Sequence, residues 1–435
     1  MHHARSRSPL SHKKALLAGA VGNFIEWYEF AVYGFLATVI AENVFRLQGE
    51  SALTGLILTY ASFAVAFFFR PLGAALFGRL GDRLGRKPTL ILVLVLMTIA
   101  TAAIGLVPTY ASIGITAPVL MTLLRILQGL FAGGEYGGAV ALMTEFAPRG
   151  KRGLYGAWQS LTVALGLLAG AGVVALLAAV LGQEALLQWG WRIAFFLALP
   201  MGAVALWLRL SLKETPAFIR SRQAAPAPAL APGAGAMSCI IALGIGRLMA
   251  WSAAGYTFLV IMPTYLQSAL HTHMQTALLI AVISNAGFAL TIIPAGMLSD
   301  RIGRRRVLMT ATVLLLALSF PLLRLLQNPE GALLIKGLAV FIAGGAVGLL
   351  AGPGPAMLAE MFPTRVRYTG LGLAYSLSNA VFSGCAGLMI TWLIKQTGNL
   401  DIPAWYVVIT AIISFFALMT LNKDDHAREL DDTLG

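Results

Sequence analysis

The chain has 435 residues, 58% of them hydrophobic and only 11% charged. A soluble globular protein carries about a quarter charged residues, so this composition excludes a soluble domain and calls for a lipid environment. The net charge of +13 does not point to nucleic acid, because the basic residues cluster in short loops between apolar runs, where they set membrane orientation.

In chain order, a basic stretch, Met1 to Lys14, precedes an apolar run that starts at Ala15 and continues to about Val44. That run is long enough to cross a bilayer and carries Glu26 and Glu29, so it reads as a first span rather than a removable leader. Twelve apolar segments follow one another near 15–43, 54–79, 88–108, 114–146, 153–181, 190–211, 237–269, 275–298, 306–325, 332–360, 368–396 and 402–421. The stretch Ser221 to Ala236 is rich in Ala, Pro and Gly and suits a flexible linker. The expected organisation is a tail (1–14), a six-helix bundle (15–211), a linker (212–236), a second six-helix bundle (237–421) and a tail (422–435). The fold class is an all-α membrane protein. Cys239 and Cys385 fall in apolar spans and read as buried thiols, and no metal spacing is present. Gly352-Pro353-Gly354-Pro355 predicts a bend in the tenth span. Trp189, Trp191, Trp392 and Trp405 near span ends read as interfacial anchors.

The two bundles are copies. Gly78-Arg79-Leu80-Gly81-Asp82-Arg83-Leu84-Gly85-Arg86-Lys87 returns 218 positions later as Gly296-Met297-Leu298-Ser299-Asp300-Arg301-Ile302-Gly303-Arg304-Arg305. Glu145-Phe146-Ala147-Pro148 returns as Glu360-Met361-Phe362-Pro363. Internal duplication of a membrane bundle is the mark of a transporter. The basic loops all fall on one side, with both termini, and the positive-inside rule makes that side cytoplasmic. In the repeated hairpin, small residues let two helix ends approach. The acid can hydrogen-bond a neighbouring helix N-terminus or pair with a base of the next loop. Topology alone needs no acid, so the hairpins read as conformational latches: Gly78, Asp82, Arg83, Gly85, Arg86 and Glu145 in one half, Asp300, Arg301, Arg304 and Glu360 in the other.

Ionisable residues within spans are functional candidates by default. Glu26, Glu29, Arg125 and Arg247 fall near span centres. Arg70 and Glu135 fall at matching depths on the second and fourth spans and are expected to pair, either as a static salt bridge or as a proton relay. Glycines around Glu135 bring another helix close, which suits a carboxylate that takes up and releases a proton. The proton-coupling set is Glu26, Glu29, Glu135 and Arg70, with Arg125 a counter-ion for the glutamates of the first span. A guanidinium can grip a carboxylate by two parallel bonds. Arg247 and Arg125 are therefore expected to bind a substrate carboxylate each. A counter-ion role for Arg247 toward Glu26 or Glu29 stands beside this reading.

Gly78 to Lys87 resembles the loop signature of the major facilitator superfamily, and Arg125-Ile126-Leu127-Gln128-Gly129 with Gly133-Gly134-Glu135 resembles its fourth-helix signature. Gly22-Asn23-Phe24-Ile25-Glu26-Trp27-Tyr28-Glu29-Phe30, Arg70-Pro71-Leu72-Gly73 and Trp189-Gly190-Trp191-Arg192-Ile193 are similar to the metabolite–proton symporter family. The similarity covers nearly the whole chain. That family includes carriers for proline and betaine, α-ketoglutarate, citrate and shikimate. The resemblance implies a bacterial inner membrane location, proton-driven uptake and a rocker-switch cycle. It also places Tyr28, Tyr33, Trp158, Gln159, Tyr256, Tyr265, Tyr375 and Asn379 on cavity-lining spans. Of these, Tyr33, Gln159, Tyr256 and Asn379 join the two arginines as substrate-binding candidates.

The expectation is a secondary transporter that imports a small organic carboxylate with protons, acting as a monomer in lipid without an obligatory protein partner. The alternative is proton-coupled uptake of a zwitterion such as proline or a betaine. No Walker-type loop, metal cluster or nucleophile–base set supports an ATP motor or an enzyme. The proton is the coupling ion, and no cofactor is expected. A signalling protein of the same fold and an exporter are the remaining rivals.

Overall fold

The computed structural model describes residues 9–46, 51–84, 86–145, 147, 150–211, 234–362 and 364–422. Within these, it leaves aside the side chains at 9–19, 78–79, 81–84, 86, 138, 141–142, 145, 234 and 364–369. No strand occurs among the described residues. In lipid the backbone finds no water, so each helix must satisfy its own N–H and C=O groups.

The segments group into twelve crossings. The first is Pro9–Phe35, which bends by 60° into Ala37–Ile40 and a π-helical turn, Ala41–Phe45. The second is Ala52–Leu84, the third Arg86–Leu106. The fourth is broken, with Thr116–Ala132 and Tyr136–Glu145 joined by a turn at 133–135. Arg152–Ala185 forms the fifth, and Trp191–Phe196 with Ala198–Leu210 the sixth. Gly182, at φ 77°, breaks the 59-residue apolar run that holds this pair. The seventh is Ala234–Gly255, a π-helical turn Tyr256–Ile261 and Met262–Leu270. The eighth is Met274–Ile302, the ninth Arg304–Gln327. Leu333–Ala351 and Gly354–Met361 make the tenth, with the bend that Gly352 and Pro353 predict. The eleventh is Thr364–Ser378, a π-helical turn Asn379–Gly384 and Ala386–Thr397; the twelfth is Ile402–Met419.

Span ends shift by a few residues from expectation, and two of them cross the expected divisions of the chain. The seventh span starts at Ala234, inside the stretch read as linker, because Ala-Gly-Ala there continues the helix. The first span starts at Pro9 rather than Ala15, and Pro suits the first position of a helix. The remainder of the expected linker and both chain ends lie outside the described residues.

The two sets of six spans meet along the fifth against the eighth and the second against the eleventh. Where the fifth and eighth cross, a Cβ on Gly153 would lie 2.5 Å from Gly296 O, and one on Gly296 would lie 2.6 Å from Gly153 O. Only glycine permits that approach. Arg192 donates to the carbonyls of Gly105 (2.7 Å) and Val107 (2.6 Å). A cation thus satisfies the C-terminal end of the third span. Among the expected anchors, Trp189, Trp392 and Trp405 are about half exposed, but Trp191 is fully buried, its ring edge-on to Phe195. Cys239 is exposed on the helix exterior rather than buried, and Cys385 is half-buried.

Candidate functional site

Between the halves lies a chamber walled by Trp27, Trp251, Tyr256, Tyr375, Asn379 and Ser383, with Phe288 and small apolar side chains. Two of these residues, Tyr256 and Asn379, open π-helical turns. Such turns widen a helix locally and recur at functional sites. The Tyr256 hydroxyl is buried without a hydrogen-bond partner among the described residues. Asn379 donates to Tyr375 O (3.0 Å) and accepts from Ser383 (2.8 Å). The chamber is closed to about 30 Å³, room for water but not for a solute. A solute must widen it. Tyr375 stacks on Tyr136 of the opposite half, with centroids 3.4 Å apart and planes within 5°.

Two buried ion pairs join spans of the first half. Arg70 Nη1 is 3.0 Å from Glu26 Oε1, a close ionic contact without aligned hydrogen-bond geometry. Its guanidinium sits over Phe30 (4.3 Å), Phe67 (4.6 Å) and Trp27 (5.4 Å). The second pair joins Glu135 to Arg209. The expected Arg70–Glu135 pair is therefore not made: each takes another partner, because Glu26 stands closer to Arg70 and the sixth span brings Arg209 to Glu135. Sequence reasoning passed over Arg209 because it falls in the last turn of its span. Its charge was the available signal.

Glu29 lies beside Thr101 and Gln128. Gln128 donates to Thr101 (2.7 Å) and accepts from Arg125. The Arg125 guanidinium is enclosed by Tyr33 (4.2 Å), Phe30 (4.7 Å) and Phe63 (4.9 Å). Tyr33 shares a hydrogen bond with Ser62. Arg125 and Tyr33 thus sit behind the aromatic wall and do not line the chamber. Gln159 is fully buried, with its amide nitrogen and oxygen unpartnered among the described residues. Its backbone carbonyl accepts from Asn23. Trp158, next to it, is exposed on the outer face. Tyr28 and Tyr265 donate to Ala194 O (2.7 Å) and Leu400 O (2.8 Å), so both hydroxyls hold helices together.

Arg247 departs furthest from expectation. Its guanidinium donates to Thr420 Oγ1 (2.9 Å) and Ala417 O (3.4 Å) at the end of the twelfth span. Helical side chains lean toward their own N-terminus, and on the seventh span that carries Arg247 away from the chamber. A cation at a helix C-terminus is electrostatically favoured.

At the basic end, Asp300 accepts from the backbone N–H groups of Gly153 (2.8 Å) and Leu154 (2.9 Å) and from Arg304 (2.8 Å). Arg304 reaches Glu360 (3.1 Å), and Glu360 pairs with Arg152 (3.2 Å). An acid of the second half thus caps the fifth span of the first. Arg301 is exposed. Gly85 lies outside the described residues, as do the side chains at Gly78, Asp82, Arg83, Arg86 and Glu145. At the opposite end, Thr38, Glu42, Arg46, Gln183, Gln267 and His271 line a cavity of about 590 Å³. There Thr38 donates to Gln267 across the halves (3.3 Å).

Comparisons with known proteins fit this architecture. Residues 15–228 match the sequence model described as "Sugar (and other) transporter", and residues 240–433 match "Major Facilitator Superfamily". The chain is 36% identical to a proline/betaine transporter of Salmonella typhimurium, over 94% of this chain and 83% of that protein. It is also 36% identical to the glycine betaine/proline/ectoine/pipecolic acid transporter OusA of Dickeya dadantii, over 94% of this chain and 84% of that protein. Among solved structures, the proton:xylose symporter XylE superposes with a TM-score of 0.79 at 16% identity, over 98% of this chain and 99% of that chain. A partially occluded inward-open form of XylE from E. coli gives 0.75 at 19% identity, over 94% and 97%. The duplicated bundle, its central chamber and these relatives agree that the chain is a multi-pass membrane transporter and belongs to the major facilitator superfamily.

Proposed function

We propose that this transporter imports a zwitterionic compatible solute such as proline or a betaine, coupled to protons. The observation that carries this reading is the chamber wall of Trp27, Trp251, Tyr256 and Tyr375. Aromatic faces attract a cationic nitrogen, and the unpartnered Tyr256 hydroxyl beside the Asn379 amide suits a compact polar solute. The organic-acid reading loses its main support, since Arg247 bonds the twelfth span and Arg125 is enclosed by rings. The names of the relatives, which cite proline and betaine, favour the same solute class.

Glu26, Glu29 and Glu135 are the proton-carrying candidates, with Arg70 the cation that Glu26 releases on protonation. The Asp300–Arg304–Glu360–Arg152 cluster is the latch of the basic end, and Asp82 its counterpart in the first half. That end faces the cytoplasm of a bacterium, with both termini on the same side of the inner membrane, and the monomer is the working unit. Solute enters from the cavity at the opposite end, the chamber widens around it, and the latch opens.

The test is uptake into proteoliposomes under an imposed pH gradient. Radiolabelled glycine betaine and proline accumulate, a protonophore abolishes accumulation, and α-ketoglutarate and citrate compete poorly. Accumulation of the carboxylates alone, or accumulation that needs sodium instead of a proton gradient, would overturn the reading.

A further inference from the structure

Glu135 sits in the turn that breaks the fourth span, between the helices Thr116–Ala132 and Tyr136–Glu145. Its Oε1 accepts a hydrogen bond from Arg209 Nη2, and Arg209 Nη1 donates to Leu90 O at 2.6 Å. The sixth span is thereby tied to the third and fourth at one point. Both side chains of the pair are buried, at 4% and 3% exposure. The first span passes beside them with a gap in its face. Gly22 stands one turn before Glu26, and a Cβ there would overlap both the Arg209 guanidinium and Glu135 Oε1. Glu26 lies within electrostatic reach of Glu135 and Arg209 as well as of Arg70. The charged and titratable groups around the two carboxylates are Glu29 of the first span, Arg70 of the second, Tyr136 beside Glu135, Arg209 of the sixth, Tyr256 of the seventh and Tyr375 of the eleventh.

Two carboxylates so close in a low-dielectric interior repel unless each has its own cation. We propose that Arg209 is a positioning residue of the proton path: seated in the notch at Gly22, it fixes Glu135 as a second carboxylate–guanidinium station behind Glu26–Arg70. The inference rests on the reading of the chain as proton-coupled. A proton taken up by Glu26 neutralises it and loosens Arg70. Passed to Glu135, the proton restores the charge of Glu26 and its pair with Arg70, and loosens Arg209. Glu135 then gives the proton to water at the basic end, and its pair with Arg209 re-forms. Only a proton enters and leaves, and no other reactant is required.

Infrared pH titration of the purified full-length protein reads this without any solute. The carbonyl band of protonated carboxyls is followed from roughly pH 4 to 10, a range that brackets ordinary and strongly raised carboxylates. One titrating carboxyl is expected to vanish in Glu135→Gln. In Arg209→Ala its midpoint should rise by at least one pH unit, because removing a cation favours the neutral acid. Arg209→Lys should recover most of that shift, since the charge returns. Gly22→Ala keeps every ionisable group, but its methyl would overlap both partners and force Arg209 and Glu135 apart, so it should raise the midpoint too. A Glu135 midpoint that is unmoved in Arg209→Ala, or a lysine variant that behaves like alanine, rejects the proposal. So does the absence of any band lost in Glu135→Gln. If Arg209→Ala does not fold, Gly22→Ala decides, and an unmoved midpoint there is a rejection. Parallel uptake of radiolabelled glycine betaine separates this inference from the proposed function. Failure of the wild-type protein to accumulate it counts against that function and leaves the titration result standing.

Discussion

A buried carboxylate that meets one guanidinium releases it on taking up a proton, and Glu135 with Arg209 is built that way. Glu135→Gln removes the ionisable group while keeping the shape. Proton-driven accumulation should fall to background, while solute exchange across proteoliposomes at equal pH survives, because exchange needs no proton release. Intact accumulation would make the pair purely structural. Arg247 predicts the reverse pattern. Its bonds to Thr420 and Ala417 hold the seventh and twelfth spans together. Arg247→Ala should cost roughly 1–3 kcal/mol, seen as a lower melting temperature in detergent, with the half-saturation concentration for glycine betaine unchanged. A tenfold weaker apparent affinity with normal melting would return Arg247 to the solute site. Sequence could name both residues as unusual charges in apolar spans. It could not assign partners, because depth along a helix leaves the facing direction open, and Arg70 found Glu26 rather than Glu135.

Among elements, the fifth and eighth spans are tied to each other at the basic end. Asp300 accepts from two N–H groups in the first turn of the fifth span, where helix donors lack partners of their own and negative charge is favoured. Asp300→Asn keeps the size but offers one acceptor oxygen and no charge. A loss of about 1–2 kcal/mol, the scale of a helix cap, would raise the population of the open form roughly 5- to 30-fold. The readout is maleimide labelling of Ala157→Cys, a position fully buried at this crossing, in a background with Cys239 and Cys385 replaced by serine. Labelling should accelerate within that range. A rate equal to the parent would show that Asp300 does not hold the end shut. The repeat of the hairpin in the sequence pointed to a latch. That Asp300 closes on the other half, rather than on its own next loop alone, appears only when the bundles are packed. The breaks were legible to different degrees. Gly352 and Pro353 announce their bend, whereas Tyr256 and Asn379 carry no residue signal for the π-helical turns that they open.

At the scale of the molecule, the basic end is tied by a buried charge cluster while the opposite end opens into a cavity of about 590 Å³, with a collapsed aromatic chamber between. Removing an aromatic face from that chamber should weaken binding of a cationic nitrogen. Trp27→Ala should raise the half-saturation concentration for glycine betaine by about tenfold or more, as expected for a desolvated cation–π contact of about 2 kcal/mol, and Trp27→Phe by less. Equal values for all three proteins would remove Trp27 from the solute site. The sequence by itself determined the membrane environment, the duplicated all-helical bundle and the family. Those follow from composition, from the spacing of apolar runs and from repeated local motifs, all of which are one-dimensional. Tertiary structure alone decided which charge meets which, which aromatic rings face the chamber, and that Arg125 is enclosed by rings while Arg247 reaches another helix end. The physical reason is that a span apolar on every side has no periodicity to mark its inner face. Side-chain orientation there is settled by the neighbouring helices, not by the helix's own sequence.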